Sequence, residues 1–276
     1  MTDKTLNCCN LEEKKERLIS ILKKYDSLAI AFSGGVDSSY LLALSHKVMG
    51  KKVFAITAIS PVHPAREIKF AKQFAANRKI RHVIIKSDEM SLPEFIANNR
   101  NRCYVCKKNL FPKMLEYAVK SGVKDLAHGV NVDDLNDFRP GFSAASESKI
   151  AAPLIDAGLT KKDIRQLSKN MNLETWNKPA MACLATRIPY GTSITPEILN
   201  KIEHAENALI DLGFNTCRVR HHGDLARIEV PPKDFKKILS KENKEAIIKT
   251  IKKAGYLYVT MDIEGYIQGS MNRQEL

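Results

Sequence analysis

Residues 27–39 read SLAIAFSGGVDSS, and this stretch decides the fold. Leu28–Phe32 is a short apolar run of the kind that forms a strand buried on both faces. Gly34 and Gly35 then turn the chain, and Tyr40 to Val48 continues as a helix that Gly50 would end. A strand, a glycine turn and a helix in register aim backbone N–H groups into the loop, where the helix dipole favours an anion. Glycine lets the backbone approach phosphate oxygens, and the hydroxyls of Ser33, Ser38 and Ser39 add donors. The loop lacks the Gly-Lys-Ser/Thr ending of a Walker A motif, which excludes a kinase- or GTPase-type P-loop.

The same alternation extends on both sides. An amphipathic helix is predicted over 11–25, a buried strand over 53–58, a helix over 63–77 and a strand over 82–85. A further helix surrounds 105–120, and Leu126–Gly129 reads as a fourth strand. Strands alternating with helices predict a parallel sheet covered on both faces. The pattern then changes. Residues 195–212 read as a helix with Thr195 as N-cap, Pro196 in the first position and Gly213 past the end. Strands at 217–220 and 225–230 flank the turn His221–Asp224, a long helix covers 233–253, and 256–260 is a last strand. The fold class is therefore α/β followed by a small α+β domain, divided as 1–190 and 191–276 within the Pro/Gly-containing stretch IPYGTSI.

The chain has 276 residues, a hydrophobic fraction of 44% and a net charge of +13, which suits an anionic partner: nucleotide, phosphorylated small molecule or RNA. Much of the lysine lies in helical patterns such as KKDIRQLSKN, where it would coat exposed faces. No apolar run is long enough for a membrane span, and the N-terminus does not read as a signal peptide, so a cytoplasmic location without membrane partners is expected. Six cysteines in a chain this long do not make a disulfide scaffold.

Cys103 and Cys106 form a C-x-x-C, open to three readings: half a zinc site, a redox pair or part of an iron–sulfur site. A Cys₄ zinc site would need another close pair, and Cys8-Cys9 and Cys217 do not supply one. Cys183, in ACLATR, starts as a core cysteine by residue type, but beside the C-x-x-C it is a third thiolate. Three thiolates can hold three irons of a [4Fe–4S] cluster and leave the fourth open. Past the fourth strand, Gly129, Asn131, Asp133 and Asp134 could reach the crevice of the glycine loop, and Asp137, Arg139, Pro140 and Gly141 extend that loop as DFRPG. Arg218 and Arg220 alternate along a strand and share a face, where two guanidiniums can grip a phosphate; ion pairs to Glu229 or Asp224 are the plain alternative. Trp176 reads as packing near the crevice.

SGGVDSS resembles the motif of the PP-loop ATP pyrophosphatase superfamily, whose domain is adenine nucleotide alpha hydrolase-like. That resemblance implies cleavage of ATP between its α and β phosphates, with Ser33, Gly34, Gly35, Ser38 and Ser39 around the phosphates. Asp37 would hold Mg²⁺, and Thr57–Ser60 would lie near adenine and ribose. Together with RCYVCK, GVNVDDLNDFRPG, KPAMACLATRIPYG and RVRHHGDLARIEV, the whole chain is similar to the LarE family, the ATP-dependent sulfurtransferases of nickel-pincer cofactor biosynthesis. The resemblance implies that a carboxylate of pyridinium-3,5-dicarboxylic acid mononucleotide is adenylated and that sulfur then displaces AMP. Two rounds would give the dithiocarboxylate. One branch of the family sacrifices the sulfur of a single cysteine, matching Cys183. The other uses three cysteines and a [4Fe–4S] cluster fed by a sulfide source, and the C-x-x-C places this chain there, with Cys103, Cys106 and Cys183 as ligands. Arg218 and Arg220 would hold the phosphate of the mononucleotide, Arg187 would serve that anion or AMP, and Glu206 and Glu229 match acidic positions near the active site. A homo-oligomer is implied, a hexamer being one option.

Three rival readings compete with this one. A tRNA thiolase of the same superfamily would suit the positive charge, but no dedicated RNA-binding motif is present, which argues against nucleic acid as the partner. An amide-forming synthetase would use ammonia and would not need three cysteines. A non-catalytic nucleotide- or zinc-binding regulator leaves the intact loop and the acidic segment without a purpose.

Overall fold

The computed structural model describes residues 10–135, 140–180, 182–267 and 269–270. Cys8, Cys9, Asp137 and Arg139 lie outside the described residues. In chain order the elements are α1 (Leu11–Leu22), β1 (Leu28–Ala31), α2 (Val36–Met49), β2 (Val53–Ile59), α3 (Ala65–Asn77), β3 (Arg81–Lys86), α4 (Pro93–Ile96), α5 (Arg102–Lys120) and β4 (Asp125–His128). They continue with α6 (Pro140–Glu147), α7 (Pro153–Asp156), α8 (Lys161–Asn170), α9 (Pro196–Asp211), β5 (Arg218–His222), β6 (Leu225–Glu229), α10 (Phe235–Ile238), α11 (Lys241–Lys253) and β7 (Tyr258–Met261). Two compact units result, interleaved in sequence. One takes the described residues of Met1–Ile59, Ala65–Glu89 and Cys103–Ala180. The other takes those of Ser60–Pro64, Met90–Arg102 and Met181–Leu276.

The first unit is built on a parallel sheet of order β3-β2-β1-β4. Its strands are short and apolar because both faces are covered. Leu28 and Ile30 of β1 face a core with Tyr40, Leu41 and Leu44 of α2 and Ile164 and Leu167 of α8. Ala29, one residue out of phase, faces the other core with Phe111, Met114 and Ala118 of α5. The chain leaves β1 for β2 and β3 on one side and returns to β4 on the other, so strand order reverses between β1 and β4. Open α/β sheets bind ligands beyond the carboxyl ends of the strands at that reversal.

The second unit carries a three-stranded sheet of order β5-β6-β7, with β5 and β6 antiparallel and β6 and β7 parallel. Its core joins Ala205 and Leu209 of α9 to Val219, Ile228, Ile247, Ile251 and Tyr256. Thr195 caps α9 by accepting from the Ile198 amide at 3.3 Å, with Pro196 in the first turn, as the sequence predicts.

Three local expectations shift. Helix α2 begins at Val36, not Tyr40, because Gly35 is extended and acts as the N-cap. The β5–β6 turn tightens to Gly223 and Asp224, since Gly223 takes φ +62°, and His221 and His222 join the strand. The helix expected over 233–253 is broken at Ser240, whose backbone is extended and caps α11. Among the described residues, no helix is long and apolar enough to cross a membrane.

Candidate active site

The loop between β1 and α2 is a cradle made mostly of backbone. Gly34 sits at φ +76°, a conformation costly for residues with a Cβ, and Gly35 caps α2 without any side-chain hydrogen bond. The first turn of α2 therefore has no side-chain cap, the arrangement that receives an anion. Ser33 and Ser38 brace the loop: their hydroxyls lie 3.1 Å apart, and the Ser38 hydroxyl donates to Gly35 O at 3.3 Å. The Ser39 hydroxyl is buried without a partner among the described residues.

Gly129, just beyond β4, explains how the second loop reaches the first. A Cβ there would lie 2.6 Å from the Ser38 amide nitrogen, so only glycine lets the two backbones approach. The following loop is organised by its own side chains. The Asn131 amide donates to Asp134 Oδ2 at 3.0 Å, and the Asp133 amide donates to Asn131 Oδ1 at 2.9 Å. Asp133 in turn accepts from the Lys161 amide at 2.7 Å, at the start of α8.

Two lysines that the sequence reading did not single out stand at the cradle. Lys161 Nζ is ion-paired to Asp37 Oδ2, while Asp37 Oδ1 is buried with no partner among the described residues. Burial raises the Asp37 carboxyl above the ordinary carboxylate range, against the pull of Lys161. Lys178 Nζ donates to Gly34 O at 3.0 Å and to Glu67 Oε2 at 2.6 Å, and lies 3.6 Å from the centre of the Phe70 ring. Lys178 opens the segment KPAMACLATRIPYG, which does not show its neighbours at the cradle, and no local motif marks Lys161. Lys161 follows the cap Thr160 of α8, which gives the helix start but not its neighbour across the fold.

Thr57 lies inside β2, buried, its hydroxyl donating to Phe32 O at 2.6 Å and in contact with His82 Nε2 at 2.7 Å. His128 closes β4 with its ring edge against Phe111. Burial, then the charge of Lys107, pushes its pKa down to about 3, so it is a neutral imidazole whose Nε2 has no partner among the described residues. Trp176 is 40% exposed, with Lys169 against its ring, and does not pack as the sequence reading expected.

The cysteines divide between the units. Cys103 and Cys106 belong to the first unit, in the opening turn of α5, three residues apart on one helix face and partly exposed. Cys183 belongs to the second. Among the described residues, no group of three or more His, Cys, Asp or Glu side chains is arranged to hold a metal ion. Cys217 is a core thiol whose pKa burial, then Glu206, pushes up to about 12.

In the second unit, Cys183 is presented by a framework of buried arginine. Its carbonyl accepts from the Thr186 hydroxyl at 2.8 Å and from Arg187 Nη1 at 3.1 Å. Arg187, fully buried, forks onto Glu206 through Nε and Nη2, both at 2.9 Å, and Nη1 also reaches Ala182 O at 2.8 Å. Leu184 N donates to Val62 O at 2.8 Å. Arg220 forks onto Glu229 at 2.9 and 2.7 Å and reaches Thr186 O at 3.0 Å. Arg218, on the same face of β5 and buried, donates to Cys217 O at 2.6 Å and lies over the Tyr266 ring. Burial, then the charge of Arg187, lowers its pKa.

A parallel sheet, an uncapped helix N-terminus at its strand-order reversal and a glycine loop define a nucleotide-binding α/β domain of the PP-loop type. A family model described as asparagine synthase matches residues 22–97, spanning that loop. The chain is 40% identical to the uncharacterized protein slr1717 of Synechocystis, over 95% of this chain and 98% of that one. It is 34% identical to the uncharacterized protein MJ0830 of Methanocaldococcus jannaschii, over 88% and 92%. With the pyridinium-3,5-bisthiocarboxylic acid mononucleotide synthase of Lactiplantibacillus plantarum it shares 33% identity over 95% of both chains. The chain belongs to the family of that synthase, the LarE family.

Proposed function

We propose that the protein is an ATP-dependent sulfurtransferase that adenylates the carboxylates of pyridinium-3,5-dicarboxylic acid mononucleotide and replaces an oxygen of each with sulfur. The observation that carries this is the uncapped cradle before α2 in a chain that matches, nearly end to end, a synthase of the bisthiocarboxylic acid mononucleotide.

A carboxylate is a poor electrophile, and adenylation gives it a leaving group. A carboxylate oxygen attacks the α-phosphorus of ATP, and pyrophosphate leaves. Sulfide then attacks the acyl carbon, AMP leaves with the electron pair of the broken C–O bond, and a thiocarboxylate remains. Backbone N–H groups at the start of α2, with Ser33, Ser38 and Ser39, hold the departing pyrophosphate. The unpartnered Asp37 Oδ1 fits a Mg²⁺ ion, which would offset phosphate charge when bound, and Lys161 supplies a second cation there. Thr57 lies by the adenosine, and Gly129, Asn131, Asp133 and Asp134 close the crevice. Arg218 binds the phosphate of the mononucleotide, while Arg220, its fork taken by Glu229, holds the neighbouring segment through Thr186 O. Arg187 acts through its grip on the Cys183 loop, since its own fork is taken by Glu206.

The three partly exposed thiols of Cys103, Cys106 and Cys183 suit a [4Fe–4S] cluster by donor chemistry, and such a cluster would present sulfide on its open iron. A second reading follows from the division of the thiols between the units: Cys183 alone gives up its sulfur and becomes dehydroalanine. We further infer a cytoplasmic homo-oligomer fed by a sulfide source. Anaerobic reconstitution with iron and sulfide, followed by turnover, separates the two sulfur routes. Bound iron and an intact Cys183 by mass spectrometry support the cluster; loss of hydrogen sulfide from Cys183 supports sacrifice. Pyrophosphate release that tracks tRNA instead of the mononucleotide would overturn the substrate.

A further inference from the structure

Of the two cradle lysines, Lys178 touches the glycine loop from behind. Helix α3 backs that loop: a Cβ on Gly34 would lie 3.3 Å from Phe70 Cδ1 and 3.6 Å from Ala71 Cβ. Lys178 Nζ lies over the same Phe70 ring, pairs with Glu67 one turn earlier on α3, and donates to Gly34 O at 3.0 Å. The side chains of Lys178 and Glu67 are both largely buried. Gly34, Gly35, Glu67, Phe70 and Lys178 all belong to the first unit.

The consequence falls on one peptide group. In a planar trans peptide the C=O and the N–H point to opposite sides. Gly34 O is drawn back to Lys178, so the Gly35 N–H is turned the other way, where it donates to the hydroxyl of the exposed Ser33 at 3.4 Å. A peptide between two glycines can rotate over at little steric cost, since neither residue has a Cβ to forbid the new dihedrals. Rotated over, it would offer an anion a carbonyl oxygen in place of an N–H. A hydrogen bond from an ammonium is among the stronger kinds that can hold it.

We propose that Lys178 is a positioning residue: by holding Gly34 O it keeps the Gly35 N–H aimed into the cradle, where that N–H binds the departing pyrophosphate. This rests on the reading of the cradle given under Proposed function. Lys178 acts through the peptide, and not as a cation on the phosphates.

The test reads that peptide directly. Gly34-Gly35 is the single Gly-Gly step of the chain, so glycine isotope-labelled at its carbonyl carbon and its nitrogen gives one carbonyl–amide cross-peak by NMR. Inorganic pyrophosphate with Mg²⁺ is titrated into wild type, Lys178→Met and Glu67→Gln. In wild type, pyrophosphate moves the Gly35 amide proton downfield. In Lys178→Met the Gly34 carbonyl moves upfield before ligand is added, and pyrophosphate binds roughly tenfold more weakly, the scale of a hydrogen bond to a charged group. Glu67→Gln loses the same ion pair, and with it thermal stability, yet keeps the wild-type cross-peak and affinity. Should Lys178→Met not fold, Glu67→Gln still decides, because a lysine acting as a bare cation would bind pyrophosphate more tightly once its carboxylate is neutralised. Unchanged affinity in Lys178→Met, a Gly35 amide that pyrophosphate leaves unmoved in wild type, or tighter binding by Glu67→Gln overturns the proposal. If wild type binds no pyrophosphate, the reading of the cradle fails and the proposal with it. If wild type binds and Lys178→Met matches it, only the role of Lys178 has failed.

Discussion

The two units place their polar and charged groups in opposite ways. In the first, the cradle is mostly backbone, shaped by Gly34, Gly35 and Gly129, and the cations beside it, Lys161 and Lys178, stand on flexible stems. In the second, the cations are arginines fixed below the surface, two of them locked to Glu206 and Glu229. Apart from Gly129, the backbone cradle is specified within a dozen residues of chain. A buried ion pair joins residues far apart in sequence, and the loss of one partner leaves the other uncompensated.

That contrast sets the sizes of four effects. Glu206→Ala leaves the buried Arg187 without its fork and should cost about 3–5 kcal/mol in urea denaturation. The double change with Arg187→Met should recover most of the loss; a cost below about 1 kcal/mol for the single change would remove the framework from beneath Cys183. Asp37→Asn should lower turnover by roughly a hundredfold or more while the protein stays folded. The Asp37 pKa is raised by burial, so its contribution to stability is present below the carboxylate's unfolded value and is lost as pH rises through the folded one. At neutral pH the asparagine variant should therefore melt no lower than wild type, and a lower melting point would show that the pair with Lys161 outweighs the burial.

The His128 pKa runs the other way. It is depressed to about 3, so the stability it confers is present above the unfolded histidine value, near 6.5, and drains away as pH falls towards 3. Between pH 7 and pH 5 the loss from this group should be about 2 kcal/mol, and His128→Phe should flatten that part of the stability profile. An equally steep profile in the variant would assign the acid sensitivity elsewhere. The smallest effect belongs to an exposed pair: Glu174→Ala, which breaks the 2.6 Å contact with Arg78, should cost under about 1 kcal/mol, and a larger cost would blur the distinction between exposed and buried pairs.

The same contrast explains what the sequence made legible. Strand β1, the glycine loop, the acidic loop after β4 and the capped start of α9 are local patterns, and each was placed within a few residues. The start of α2 was missed by four residues because Val36–Ser39 reads as loop chemistry although it is already helix. The partners of the arginines were harder. Arg220–Glu229 is legible because both lie on neighbouring strands. Arg187–Glu206 joins a turn to a helix, and nothing in ACLATR announces it. Lys161 and Asp37, 124 residues apart, meet only through the packing of α8 on α2, and neither residue type nor spacing could have paired them. Tertiary proximity of that kind carries no signature in a single sequence.

The central claim is adenylation of the pyridinium dicarboxylate, and pyrophosphate release tests it most directly. With Mg²⁺ and ATP present, pyrophosphate and AMP should appear only when pyridinium-3,5-dicarboxylic acid mononucleotide is added, with a thiocarboxylate product once sulfide is supplied. Pyrophosphate release that is indifferent to the mononucleotide, or that needs tRNA in its place, would contradict the account.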